Sequence, residues 1–395
     1  MRGNASAATW KGRWLACLAA AAASALCLLV AAGLASAAQP SLDLSKDSSL
    51  KVTAALEDPQ SFTGSDAGIQ VDAYLVARAE QVQGYDTYAY APVEGGPFAN
   101  LDVAALNKAM ESKDSTAATQ ASQQFAQAAL TAALADLRSP EPTLASAPRA
   151  DMIAAGSEGA TCEADFPQLP SGLYLLVAHG TSLSADDYAT TLADGKTATV
   201  AYSALKECAF EPVLVSLPTR EAAAGQPLTT ASGTDWRYSA HTMLKPQVSP
   251  RMGSLEIVKA LDRFETDGTG VDSAATFVFS VQAVDASGEK VYDDVVSLVF
   301  DQPGSKSALI ENKIPAGATV TVREVYSGAS YQVAGASEGT AVIAADEVAQ
   351  VSFANTNDNT KVHGGSVTNS FTYGGKEGGW QLAPAYSHGA PASED

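Results

Sequence analysis

Apolar residues recur at every second position through most of the chain, the pattern of strands with one buried face. From Ser48 onward the stretches "SSLKVTAAL", "AGIQVDAYLVA", "FPQLPSGLYLLVAHG", "KTATVAY", "AFEPVLVSLP" and "WRYSAHTML" predict strands. A second set starts at Gly253, with "GSLEIVKALD", "ATFVFSVQAVD", "DDVVSLVF", "ATVTVREVY" and "AQVSFAN". Gly, Pro, Asp and Ser turns separate these short runs, which predicts β-sandwich architecture. The exception lies between Asn100 and Arg138, where "LDVAALNKAMES" and "QASQQFAQAALTAALADLRS" carry Ala, Gln and Leu at helical spacing. The expected fold is therefore mainly β: two sandwich domains, the first with a helical insertion.

The two sets of strands are related. "SSLKVTAAL" lines up with "GSLEIVKAL", and "LPSGLYLLVAH" with "IPAGATVTVRE", each pair giving an opening strand and then a Pro-x-Gly turn into a central strand. The predicted boundaries are a first domain at 48–244, a linker at 245–252 read from "KPQVSPRMG", and a second domain at 253–373. A flexible tail is expected at 374–395. Ahead of them, Arg2, Lys11 and Arg13, an apolar run from Trp14 to Leu34 and the small-residue site Ala35-Ser36-Ala37 read as a secretory signal peptide over 1–37, with a spacer at 38–47. Two of the four cysteines fall in that segment. Cys162 and Cys208 remain, and an isolated pair in an exported chain predicts a disulfide.

The alternation contains an anomaly. Leu255 and Ile257 define the buried face of their strand, and the next residue on that face is Lys259. Val320 and Val322 are followed on their face by Glu324, and Val351 and Phe353 by Asn355. Three strands thus each carry one polar residue on the apolar side. Burial lowers the pKa of a lysine and raises that of a glutamate. A neutral amine is a nucleophile, a protonated carboxyl passes protons, and a carboxamide carbonyl is an acyl centre. Together they can form a Lys259–Asn355 amide with Glu324 as proton shuttle, proximity being supplied by the fold. The bland alternative is a lysine at a strand end with its stem packed and its charge in water.

These motifs resemble the CnaB-type sandwich of Gram-positive surface proteins, over roughly Gly253 to Asp358. That pattern has a lysine in the first strand, a glutamate in "T-V-x-E" and an asparagine in a closing "V-x-F-x-N", here Lys259, Glu324 and Asn355. The resemblance implies a self-formed isopeptide bond, with Asn369 of "VTNSF" as a rival partner. The first domain resembles the N-terminal domain of sortase-assembled pilin subunits through "AGIQVDAYLVA", "LPSGLYLLV", "PVLVSLP" and "WRYSAHTMLK". The pilin motif's aromatic-to-lysine spacing falls on Trp236 and Lys245. Its interior differs, with Ala240, Thr242, Met243 and Leu244 at the usual valine, tyrosine and proline positions. What the resemblance implies is a polymerising Lys245 and a secreted, cell-surface or cell-wall location. Neighbouring pilin-like subunits or a host surface or matrix ligand would be the partners. The repeat places Ala54 and His179 where Lys259 and Glu324 stand, so the first domain is expected to lack this bond.

Charge and motifs narrow the rivals. The formal net charge is −20, and the acidic excess is larger still without the basic signal segment. That argues against nucleic acid or an anionic membrane surface as partner. Membrane contact would come only through the signal segment or a C-terminal anchor, and the chain ends "LAPAYSHGAPASED" without an LPxTG-like signal. No cofactor is implied. His179, His241, His363 and His388 lack metal-ligand spacing, and no G-x-S-x-G is present, so a non-enzymatic protein is expected. The alternative is a secreted glycan-binding protein or glycoside-processing enzyme, with Trp236, Tyr74 and the tyrosines of "GYDTYAYAP" stacking sugars.

Overall fold

The computed structural model describes residues 42–56, 58–62, 67–112, 114–154, 161–220, 236–264, 274–328 and 331–358, with a short hairpin at 371–373 and 380–382. The signal segment, Asn369 and most of the tail expected at 374–395 lie outside these residues.

Up to Pro250 the chain forms β1 (Ser48–Ala55), β2 (Ile69–Gln81), β3 (Tyr88–Pro92), helices α1 (Val103–Glu111) and α2 (Ser115–Leu137), then β4 (Arg149–Ala154), β5 (Thr161–Leu169) and β6 (Gly172–Gly180). There follow β7 (Ala189–Thr191), β8 (Thr197–Tyr202), β9 (Lys206–Phe210), β10 (Val213–Leu217), β11 (Thr219–Arg220), β12 (Trp236–Arg237), β13 (Ser239–Leu244) and β14 (Gln247–Pro250). The large sheet runs β10-β6-β2-β4-β5-β1-β13, with β3 also on β2, and a smaller one runs β14-β9-β8-β7.

β6 is buried along its whole length, which explains its unbroken apolar run. Alternate residues serve two cores. Leu173, Leu175 and Val177 join Phe125 and Leu130 of α2, while Tyr174, Leu176 and Ala178 join Val52 and Phe166. Both helices start where an aspartate caps them: Asp102 accepts from the Ala105 N–H, and Asp114 from those of Thr116 and Ala117.

Beyond Arg251 lie β15 (Met252–Leu261), β16 (Ala275–Val284), β17 (Lys290–Phe300), β18 (Gly304–Pro315), β19 (Thr319–Tyr326), β20 (Tyr331–Val333), β21 (Glu338–Val342) and β22 (Val348–Asn357). They make two four-stranded sheets, β18-β15-β22-β20 and β17-β16-β19-β21. Leu255, Ile257, Val351 and Phe353 of the first pack against Phe277, Phe279, Val320 and Val322 of the second. Gly253 lets β15 start beneath a turn, since a Cβ there would lie 2.1 Å from the Ala344 carbonyl oxygen.

The repeat seen in the sequence is a repeat of strand pairing. β1 is antiparallel to β5 and parallel to β13, as β15 is antiparallel to β18 and parallel to β22. β2 pairs with β6 as β16 does with β19. Two boundary expectations change. The stretch read as a linker contains β14, antiparallel to β9, because its backbone completes the edge of the small sheet. The end of the expected spacer is anchored, since Leu42 is buried in the core beside the helices and its N–H donates to Asp86.

Candidate functional site

In β15 the inward face carries Leu255, Ile257, Lys259 and Leu261, so pleat alone directs Lys259 into the sandwich. Parallel β22 sets Phe353 beside Lys259 and Asn355 beside Leu261, which puts Asn355 one step along the same inner face. Glu324 comes from the opposite sheet, on β19, where it pairs with Phe279 of β16. The lysine and asparagine therefore share one layer and the glutamate reaches them from the other.

The three side chains close a ring of hydrogen bonds. Lys259 Nζ donates to Glu324 Oε2 at 2.7 Å and to Asn355 Oδ1 at 2.5 Å. Asn355 Nδ2 donates to Glu324 Oε1 at 2.6 Å and also faces the Ser327 carbonyl at 3.5 Å. Lys259 is 0% exposed and Asn355 1%. The walls are aromatic: Nζ lies 4.8 Å from the Phe277 ring centre, 5.7 Å from Phe279 and 6.0 Å from Phe353. Burial pushes the Lys259 ammonium below its usual range, opposed by the hydrogen bond and charge of Glu324. An amine is thus held against a carboxamide oxygen, with a carboxylate in contact with both nitrogens.

The other predicted residues lie elsewhere. Trp236 is half-buried in β12, under the Arg220 guanidinium at 4.3 Å, and its Nε1 donates to Asp86 at 3.2 Å. Lys245 is exposed, between β13 and β14. Cys162 and Cys208 share a core but are two buried thiols, so the expected disulfide is not formed in this structure. Burial, with Cys162 alongside, pushes the Cys208 thiol up to about 12, which disfavours the thiolate needed for exchange. Of the aromatics read as sugar platforms, Tyr74, Tyr88 and Tyr90 are buried, and Tyr85 is exposed. Among the described residues no metal-binding cluster occurs, and no helix is long and apolar enough to cross a membrane.

One buried polar cluster was not anticipated. In β2, Asp72 is fully buried and accepts hydrogen bonds from Arg149 Nη2 at 3.0 Å, from the Tyr74 hydroxyl at 2.6 Å and from His179 Nε2 at 3.3 Å. His179 is stacked on Tyr188 with ring centres 4.3 Å apart. Burial pushes the Asp72 carboxyl up, but the hydrogen bonds of His179, Arg149 and Tyr74 outweigh it and hold it at about 2. The available signal was Asp72 itself, a carboxylate inside the apolar run "AGIQVDAYLVA". At the equivalents of Lys259 and Glu324 stand Ala54, opposite Leu244, and His179.

Residues 255–372 match a family described as a domain of unknown function, DUF5979. No curated protein matches the chain. Among solved structures the chain is similar to GBS52, the minor pilin of the Gram-positive pathogen Streptococcus agalactiae, at 14% identity over 81% of this chain and 100% of that one, with a TM-score of 0.21. The Bacillus anthracis TIE protein is similar at 12% identity over 79% of this chain and 34% of that one, with a TM-score of 0.27. The major pilin from Streptococcus pyogenes is similar at 9% identity over 78% and 98%, with a TM-score of 0.21. Pilin subunits recur among these neighbours, the class that the sequence also resembles. At such identities and scores the likeness carries no functional inference.

Proposed function

We propose that the chain is a non-enzymatic, cell-surface, pilin-like or adhesin subunit whose C-terminal sandwich closes an internal Lys259–Asn355 isopeptide bond. The observation that supports this is the closed hydrogen-bond ring of Lys259, Glu324 and Asn355 inside an aromatic pocket. Glu324 takes a proton from Lys259 Nζ, which then attacks Asn355 Cγ. The Nζ–Cγ bond forms, the Cγ–Nδ2 bond breaks, and Nδ2 leaves as ammonia with the protons relayed by Glu324. Burial favours the neutral form of the Lys259 amine, and the fold supplies the alignment.

The bond has a mechanical consequence. β15 and β22 are parallel, so tension entering at Met252 leaves at the far end of β22. It travels along β15 to Lys259, crosses the bond, and continues from Asn355. The intervening residues, with partners 96 positions apart, stay outside the loaded path. A stalk that must hold its length under pull needs this arrangement. Lys245 is then the candidate for linkage to a neighbouring subunit, and the N-terminal region the candidate for presenting a surface to a host ligand.

Intact mass of the purified chain tests the bond directly. The cross-linked protein is lighter than its sequence by one ammonia, and Lys259→Ala or Glu324→Ala restores the full mass. A wild-type chain already at full mass removes the isopeptide reading.

A further inference from the structure

Arg251 stands between the two sets of sheets, and among the described residues no sheet contains strands from both sides of it. Independent domains joined by a few residues move relative to one another by default. Here three turns converge on one residue, two of them on its side chain and the third on its backbone carbonyl. From the N-terminal side comes the β8–β9 turn, residues 203–205. From the sandwich come the β18–β19 turn around Gly317 and the β21–β22 turn around Asp346.

The guanidinium is held from both directions. Its Nη1 donates to the Ser203 carbonyl at 2.8 Å, its Nη2 donates to Asp346 Oδ2 at 2.5 Å, and its plane lies 5.0 Å from the Tyr202 ring centre. The backbone is held as well: the Arg251 N–H donates to the Leu205 carbonyl at 2.9 Å and its carbonyl accepts from Ala316 at 2.8 Å. The turns themselves are stiff. Ser203 N–H donates to the Lys206 carbonyl while its hydroxyl accepts from the Lys206 N–H, and Asp346 N–H donates to the Met252 carbonyl. Leu205 sits directly on Gly317, whose φ is +81°, so that a Cβ there would lie 2.8 Å from Leu205 Cδ2. β14 leads into Arg251 already paired to β9, and β15 leaves it already paired to β18.

We propose that Arg251 is a clasp that fixes the N-terminal region and the C-terminal sandwich in one orientation, so that the chain behaves as a single rod rather than two jointed bodies. A lysine cannot replace it, because only the planar fork reaches a carbonyl on one side and a carboxylate on the other while lying over an aromatic ring. The exposed Arg251–Asp346 pair contributes little alone. What fixes the joint is that one rigid group meets partners on both bodies. The proposal does not depend on the isopeptide bond, and an Arg251 variant is expected to show the same mass difference from its own sequence as the wild type does.

Small-angle scattering of the full chain tests it, with Arg251→Ala, Arg251→Lys and Gly317→Val as variants. The wild type is expected to give a pair-distance distribution that one rigid arrangement fits. Arg251→Ala is expected to broaden it and raise the radius of gyration, with Arg251→Lys intermediate and Gly317→Val broadened because Leu205 is displaced. Thermal melts control for folding, since each body is expected to keep its own transition. A wild type that already needs an ensemble of orientations, or an Arg251→Ala curve superimposable on wild type with normal melts, overturns the proposal.

Discussion

The two β regions share a strand-pairing scheme and each buries charged groups, yet they do opposite things with them. The C-terminal sandwich encloses an amine, an acid and a carboxamide that are all hydrogen-bonded to one another, the set for which we propose a covalent join. The N-terminal region encloses a carboxylate that is stabilised as an anion by an arginine, a tyrosine and a histidine. The lesson concerns the partner rather than the burial. Asp72 faces Arg149, which does not give up its proton and offers no carbonyl to attack. Lys259 faces a carboxylate that can accept its proton and an amide that can accept its nitrogen. One cluster is stable as charges, and the proposed bond would give the other a covalent exit.

The contrast breaks most visibly at Glu324. Glu324→Gln keeps the shape but cannot shuttle a proton, so the chain is expected to retain its ammonia and leave Lys259 unbonded. Loss of a closure of this length costs about 4–5 kcal/mol on the loop-entropy account of cross-links. Denaturant melts of the variant and the wild type measure it, and equal midpoints would mean that the sandwich is not covalently closed.

Next in size is the Asp72 cluster. Its folded pKa of about 2 lies below the 3.8 of an ordinary aspartate. Its stabilisation is therefore present above pH 3.8 and lost as pH falls toward 2, and the shift corresponds to on the order of 2 kcal/mol. Asp72→Asn is expected to lose a similar amount at neutral pH, and to flatten the acid limb of the N-terminal transition while leaving the C-terminal one unmoved. Melts across that pH range, with hydrogen exchange assigning each transition to a region, check both. An acid limb unchanged in the variant would move the pH dependence to other carboxylates.

Much of this division was legible in the sequence, and for identifiable reasons. Pleat geometry makes any polar residue on an apolar face conspicuous, which is how the sequence marks out Lys259, Glu324 and Asn355. The same rule applied to "AGIQVDAYLVA" puts Asp72 with Tyr74 and Val76, but its arginine comes from β4 and its histidine from β6, and alternation within one strand says nothing of which strands will be neighbours. The three phenylalanines around the amine read simply as core. β14 reads as a linker in the sequence because Pro246, Pro250 and Ser249 dominate its local signal, while its hydrogen bonds to β9 belong to the tertiary structure. The clasp at Arg251 escaped for the same reason: one arginine after a proline carries no local mark of the three turns it gathers.

The smallest effect sharpens the comparison at Cys162 and Cys208. The pair lies in the core of the region that has no lysine at the Lys259 position, where a disulfide would be a substitute staple. The structure holds two thiols instead, each pushed up by burial. Alkylation is expected to be negligible while the protein is folded, because thiolate is scarce and the sulfurs are covered. In denaturant without reductant, both cysteines are expected to take up reagent. Replacing both by alanine removes one sulfur from each site without leaving a buried polar group, and the expected cost is on the order of 1 kcal/mol, well below the loss at Glu324. Uptake only after reduction would mean that the N-terminal region is stapled too. The regions would then differ in the chemistry of their cross-links rather than in having one.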